Sequence, residues 1–173
     1  QKGVLTQIVS ENTTLRIHSS DGHDDPIITD WIDYISNQYR GPEGLDDVLV
    51  LLPCSARKPY SFSRTHRSFR RAMNHNSAHE VIVTSPLGLV PRELEECWPA
   101  GHYDIPVTGD WRMDEIARVT KMLDSLCANH NFRVIINHSG LEYIHKSIEV
   151  IDTRQGEPGT SHSALERLGE VVL

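Results

Sequence analysis

Val48-Leu-Val-Leu-Leu52 is an unbroken apolar run, and Pro53-Cys-Ser-Ala-Arg-Lys-Pro-Tyr-Ser-Phe-Ser-Arg-Thr-His66 follows it directly. Five apolar residues between Asp47 and Pro53 suit a strand covered on both faces, as in a parallel sheet sandwiched by helices. In open α/β sheets, ligands bind outside the carboxyl ends of the strands, which is where such a strand leaves Cys54. The loop beginning there gathers a thiol, an amine, a phenol, hydroxyls and an imidazole. A cysteine at a strand end is in most loops only a small buried hydrophobe, but this density of reactive groups points to chemistry.

Outward from this strand, segments of strand and helix character alternate. Val4 to Ile17 reads as one or two edge strands, followed by a polar loop before Pro26. Ile27, Ile28, Trp31, Ile32, Ile35 and Tyr39 recur at helical spacing up to Arg40, where Gly41-Pro42 stops the helix. Helices are further expected from Ser63 to Met73, Met113 to Asn129, Gly140 to Glu149 and Ser161 to Glu170, and strands at Glu80 to Thr84 and Arg133 to Asn137. Gly88 to Thr108, punctuated by Pro91, Pro99 and Pro106, reads as a long irregular connection of the kind that is often functional. This order predicts one α/β domain over 1–173, a parallel sheet in a three-layer α/β/α arrangement. At 173 residues and 38% hydrophobic content the chain can bury a core of its own.

Charge is unevenly distributed. The net charge is −7, yet no Asp or Glu occurs from Val48 to His79, where Arg57, Lys58, Arg64, Arg67, Arg70 and Arg71 all fall. A solvated face normally mixes both signs, so this strip fits a phosphate-bearing partner better than a solubilising role. The same cations are expected to lower the Cys54 pKa from the free value of about 8.5. The three cysteines, Cys54, Cys97 and Cys127, form no C-x-x-C pair and no zinc spacing, so neither a disulfide framework, a metal nor a cofactor is expected. Reduced thiols, the lack of a run of about 18 apolar residues and the lack of a signal pattern suit a cytoplasmic protein without a membrane partner. The start at Gln1 suggests a piece of something longer.

The pattern P-C-x-x-x-K-P-Y-x-x-S-x-x-H, filled by Pro53, Cys54, Lys58, Pro59, Tyr60, Ser63 and His66, resembles the signature of archaeosine synthase. That family modifies the 7-cyano-7-deazaguanine base already present in archaeal tRNA. The following T-S-P-L-G-L-V-P-R-E-L-E stretch, Thr84 to Glu95, also resembles the family's middle domain. The resemblance implies a fold similar to uracil-DNA glycosylases, with companion transglycosylase-like and PUA domains elsewhere in the protein. It further implies tRNA carrying the nitrile base as substrate and an amine donor that is lysine in some members and glutamine or ammonia in others. A radical-SAM partner enzyme then acts in the lysine-using members, and a second copy of the chain is a further partner to expect. The glycosylase water-activating carboxylate and full H-P-S-P loop are missing, so DNA repair is not expected.

The resemblance makes Cys54, Lys58, Tyr60, Ser63 and His66 the catalytic candidates. A thiolate adds to a nitrile carbon to give a thioimidate, and an amine then displaces the sulfur to leave an amidine. Cys54 is the first choice of nucleophile, with Lys58, Tyr60 or His66 as proton donor, a role typically worth ~10²- to 10⁴-fold. Lys58 as nucleophile, or a motif that only holds the base, stays open. Two other strand ends could face the same crevice and bind substrate, through Ser85 in one and Asn137, His138 and Ser139 in the other; His138 serves equally well as a helix cap or core hydrogen-bonder. Asp104 and Asp110, beside His102, Tyr103 and Trp111, could receive an amine, although acids in such loops are usually just solvated. Arg57, Arg64, Arg67, Arg70 and Arg71 are the RNA-binding candidates. The competing reading is a non-catalytic tRNA-handling or assembly module, which needs the arginines but not the thiol.

Overall fold

The computed structural model describes residues 15–16, 25–104 and 111–172. In chain order the elements are β1 (Leu15–Arg16), α1 (Pro26–Asn37), β2 (Val48–Pro53), α2 (Arg64–Ala72), β3 (His79–Thr84), β4 (Gly88–Pro91), β5 (Tyr103–Asp104), α3 (Met113–Ala128), β6 (Val134–Asn137), β7 (Glu149–Asp152) and α4 (His162–Val171). Short 3-10 turns stand at Tyr60–Phe62 and Arg92–Leu94. The apolar run that opens the site is the middle strand of five, in the order β4-β3-β2-β6-β7, and β1 pairs separately with β5.

Side-chain alternation along β2 sorts the core into two layers. Leu49 and Leu51, with Ile135 of β6, pack against Ile28, Trp31 and Ile35 of α1 and Val119, Met122, Leu123 and Leu126 of α3. Val50 and Leu52, with Ile136, pack on the opposite face against Phe69 of α2, Met73 and Leu168 of α4. A fully buried leucine is worth about 1.5–3 kcal/mol, so β2 contributes to both layers at once. Helix starts are set by local chemistry. The Asp25 carboxylate accepts from the Ile27 amide at 2.8 Å, the Ser63 hydroxyl from that of His66 at 3.1 Å, and the Ser161 hydroxyl from that of Ala164 at 3.2 Å.

The α/β class is as expected, and the sheet is mixed rather than wholly parallel. β2, β3, β6 and β7 run parallel, while β4 returns antiparallel along β3. The stretch expected to be irregular from Gly88 thus begins as a strand. Gly88 takes φ +80°, a conformation that side chains rarely adopt, and a Cβ there would run into the Met122 sulfur, so glycine suits this reversal. The helix expected from Gly140 to Glu149 does not form; that segment is irregular and ends in β7, parallel to β6. Gly140 at φ +85° turns the chain out of helical geometry, and the Ser147 and Ile148 amides donate to His145 Nδ1 at 3.2 and 3.0 Å instead of to a helical carbonyl. α1 also stops earlier than expected, at Asn37. The edge strands expected at Val4 to Ile17 lie outside the described residues except for Leu15–Arg16.

Candidate active site

Cys54 is half-buried at the carboxyl end of β2, beside the end of β3, because Pro53 pairs with Val83. Thr84 therefore stands next to it, and its hydroxyl hydrogen-bonds the sulfur. Thr84 Oγ1 is 2.8 Å from the Tyr103 hydroxyl, which is 2.6 Å from the Tyr60 hydroxyl. The Lys58 ammonium lies over the Tyr103 ring, 4.2 Å from its centroid, and 5.8 Å from that of Tyr60. A thiol, an ammonium and a buried chain of three hydroxyls thus meet at one strand end.

The electrostatics differ from the sequence expectation. Burial pushes the Cys54 thiol above its ordinary value, and the Thr84 hydrogen bond and the Lys58 charge only partly pull it back. The cations expected to lower this pKa are outweighed because most of them lie on the exposed side of α2, where water screens them, while the sulfur is desolvated. Burial likewise raises Tyr60 and Tyr103. Both phenols stay protonated, so each keeps a proton to donate within the hydroxyl chain.

His66 has neither nitrogen free. Arg92 Nη2 donates to its Nδ1 at 2.8 Å, so its Nε2–H donates to the Pro53 carbonyl at 2.8 Å. Burial and the Arg92 charge push its pKa down to about 3. The expectation of His66 as proton donor to a substrate is corrected: at neutral pH the ring is uncharged, and its one proton fixes the carbonyl just before Cys54. Ser63, 6% exposed, uses its hydroxyl as the α2 cap. Arg92 also pairs with Glu80 at 2.7 Å and Glu95 at 3.0 Å. Glu95 in turn accepts from the Ser61 amide at 3.0 Å and from the Ser61 hydroxyl. This network clamps the motif turn against β3 and β4.

Since β3, β2 and β6 are parallel neighbours, their three carboxyl ends do lie side by side. The side chains expected at the third end turn inward. Asn137 donates to the Leu141 carbonyl at 2.7 Å and accepts from the Ser139 hydroxyl at 2.6 Å. His138, fully buried, is held between the Thr153 hydroxyl and the Gly159 carbonyl, each at 2.7 Å, and burial lowers its pKa. Ser85 donates to the Glu115 carboxylate. All four expected substrate-binding residues thus carry hydrogen bonds within the chain; Asp110 lies outside the described residues. Arg57, Arg64, Arg67, Arg70 and Arg71 are all exposed. Among the described residues no group of three or more His, Cys, Asp or Glu is placed to hold a metal, and no helix is long and apolar enough to cross a membrane.

Residues 28–172 match a family model described as a domain of unknown function, DUF5591. The chain belongs to the DUF5591 family. It is similar to proteins named archaeosine synthase. It is 48% identical over 106 residues to archaeosine synthase subunit alpha of Methanosarcina acetivorans, covering 60% of the chain and 17% of the relative. It is 39% identical over 155 residues to the subunit alpha of Thermoplasma acidophilum, covering 85% and 29%. It is 42% identical over 130 residues to archaeosine synthase of Haloferax volcanii, covering 75% and 22%. The DUF5591 chain thus spans less than a third of the length of each of these relatives. Among solved structures it is similar to AF0587, a protein of unknown function, with a TM-score of 0.61 and 26% identity over 82% of this chain and 49% of that one.

Thr84, Tyr103, Arg92 and Glu95 are the site residues of this DUF5591 domain to which sequence reasoning assigned no role. Thr84, Arg92 and Glu95 fall in the T-S-P-L-G-L-V-P-R-E-L-E stretch noted for its resemblance, and Arg92 and Glu95 at i,i+3 are a legible ion pair. Tyr103 had no comparable signal, as it lies 43 residues from its partner Tyr60.

Proposed function

We propose that this chain is the base-processing domain of a tRNA-modifying enzyme of archaeosine formation, and that Cys54 adds to the nitrile of 7-cyano-7-deazaguanine in tRNA. The observation that carries this reading is the shielded Cys54 thiol with the Lys58 ammonium and the Thr84–Tyr103–Tyr60 hydroxyl chain at one strand end. The relatives named archaeosine synthase support it. As sulfur bonds to the nitrile carbon and one π bond of the C≡N group breaks, the nitrogen takes a proton from the Lys58 ammonium, which is reprotonated by the Cys54 S–H. An amine donor, lysine or glutamine-derived ammonia, then bonds to the same carbon, and its surplus proton passes through Lys58 to the departing sulfur. The C–S bond breaks, leaving an amidine and the free thiol. Companion transglycosylase-like and PUA domains, and a radical-SAM enzyme acting afterwards on a lysine adduct, belong to the same proposal.

One observation favours a second reading, a tRNA-handling module without chemistry of its own: burial keeps the resting thiol protonated. Full-length protein and its Cys54→Ala variant, given nitrile-bearing tRNA and candidate donors, separate the two. Loss of the mass gain in the modified nucleoside with tRNA affinity retained is the expected result. Full conversion by Cys54→Ala places this domain in the module class.

A further inference from the structure

Phe62 leaves more than half of its surface, 54%, in water, although every neighbour on its turn is tied down. Tyr60 is fully buried and Ser63 is 6% exposed. Ser61 is held through both its amide and its hydroxyl by Glu95. The Phe62 amide donates to the Pro59 carbonyl at 3.1 Å and that of Ser63 to the Tyr60 carbonyl at 2.9 Å. The ring is therefore presented outward by a turn whose backbone is fixed between the Cys54 loop and α2, so little backbone entropy remains to be lost when something covers it.

A single exposed apolar residue is ordinary. Charge sets this one apart. Phe62 lies within the stretch 48–79 that has no acidic residue, with exposed Arg57 before it and exposed Arg64 and Arg67 after it. Among the described residues the other large exposed apolar side chains, Met113 at 82% and Ile144 at 89%, are not aromatic, and acids stand close by in sequence, Asp114 and Glu115 beside one and Glu142 near the other. An exposed aromatic ring in a stretch whose exposed charges are arginines, with the nearby Glu95 carboxylate already engaged by Ser61 and Arg92, matches unpaired nucleic acid, where bases stack on rings and phosphates meet guanidinium groups.

We propose that Phe62 is a stacking platform for an unpaired nucleobase of tRNA, flanking the base that is processed, with Arg57, Arg64 and Arg67 on the neighbouring phosphates. The inference rests on the tRNA reading above. Taking one base out of its stack uncovers the faces of its neighbours, and Phe62, exposed eight residues after Cys54 in the same motif, is the aromatic side chain there that a neighbouring base could reach.

The test uses this 173-residue chain with a tRNA transcript and a single-stranded RNA, titrated over a series of salt concentrations. Phe62→Ala is expected to weaken binding about 5- to 100-fold, the worth of one stacked base, without changing the slope of log affinity against log salt. Phe62→Leu should behave like Phe62→Ala. Phe62→Trp should retain affinity, with indole fluorescence quenched on binding. Arg64→Ala with Arg67→Ala should instead flatten the slope by about one to two units. Unchanged affinity in Phe62→Ala, or full affinity in Phe62→Leu, overturns the stacking role. If the arginine pair flattens the slope and Phe62→Ala does nothing, only this inference falls. If neither RNA binds measurably at low salt, or neither set of variants has an effect, the tRNA reading falls with it.

Discussion

Cys54 and His66 are governed by the same force, the cost of holding a charge away from water, and it moves them in opposite directions. Cys54 is raised and His66 lowered, so both are neutral in the resting protein. Alkylation of Cys54 should therefore accelerate with pH toward a midpoint above that of an ordinary thiol, and Lys58→Met should move the midpoint higher still by removing the opposing charge. A midpoint below the ordinary range, or one indifferent to Lys58→Met, contradicts this balance. For His66 the unfolded imidazole titrates near 6.5 and the folded one near 3. Between those values the unfolded chain binds a proton that the folded chain does not, so stability is intact above about pH 6.5 and declines as pH falls toward 3. At pH 5 the loss from His66 alone is about 2 kcal/mol. His79, lowered to about 4, and His138 add to it in the same direction. Denaturant unfolding at pH 8, 6 and 5 should show the decline; a flat profile contradicts a neutral buried imidazole. The reactive types around Cys54 are legible in residue order, but their burial is not, which is why the direction of the thiol pKa was misjudged from sequence.

Among the elements, the turn Tyr60–Phe62 and α2 are fastened to β3 and the residues after β4 by one guanidinium. Arg92 serves His66, Glu80 and Glu95 together. Arg92→Ala strands two nearly buried carboxylates, and unfolding measurements should show a loss of about 3–5 kcal/mol. Arg92→Lys should recover only part of it, because an ammonium cannot match the three-way fork. A loss under 1 kcal/mol would mean that the turn stands without this clamp. The helices were legible because caps such as Asp25, Ser63 and Ser161 precede periodic apolar residues, and β2, β3 and β6 because they are apolar runs. β4 and β7 were not. β4 is four residues ending in Pro91, tolerable only because it is an edge. β7 places its two central residues, Val150 and Ile151, half-buried between exposed Glu149 and Asp152, so no apolar run marks it.

Across the whole molecule, a net charge of −7 opposes RNA while the arginines of α2 and the Cys54 loop attract it. The chain alone should bind tRNA weakly and with strong salt dependence, and the longer protein more tightly, as titrations of both at matched ionic strength would show. Equal affinity would mean that the arginine strip suffices. The arrangement of the sheet has its own consequence for motion. β2 is hydrogen-bonded on both sides, whereas β4 and β7 each have one neighbour in the sheet. Transient opening begins where fewest bonds must break, so the rims of the sheet should exchange their amide protons well before its centre. Cys54 is attached to that centre, and His66 ties the preceding carbonyl in place. The outer strands should therefore lose their protection while the sulfur keeps its position.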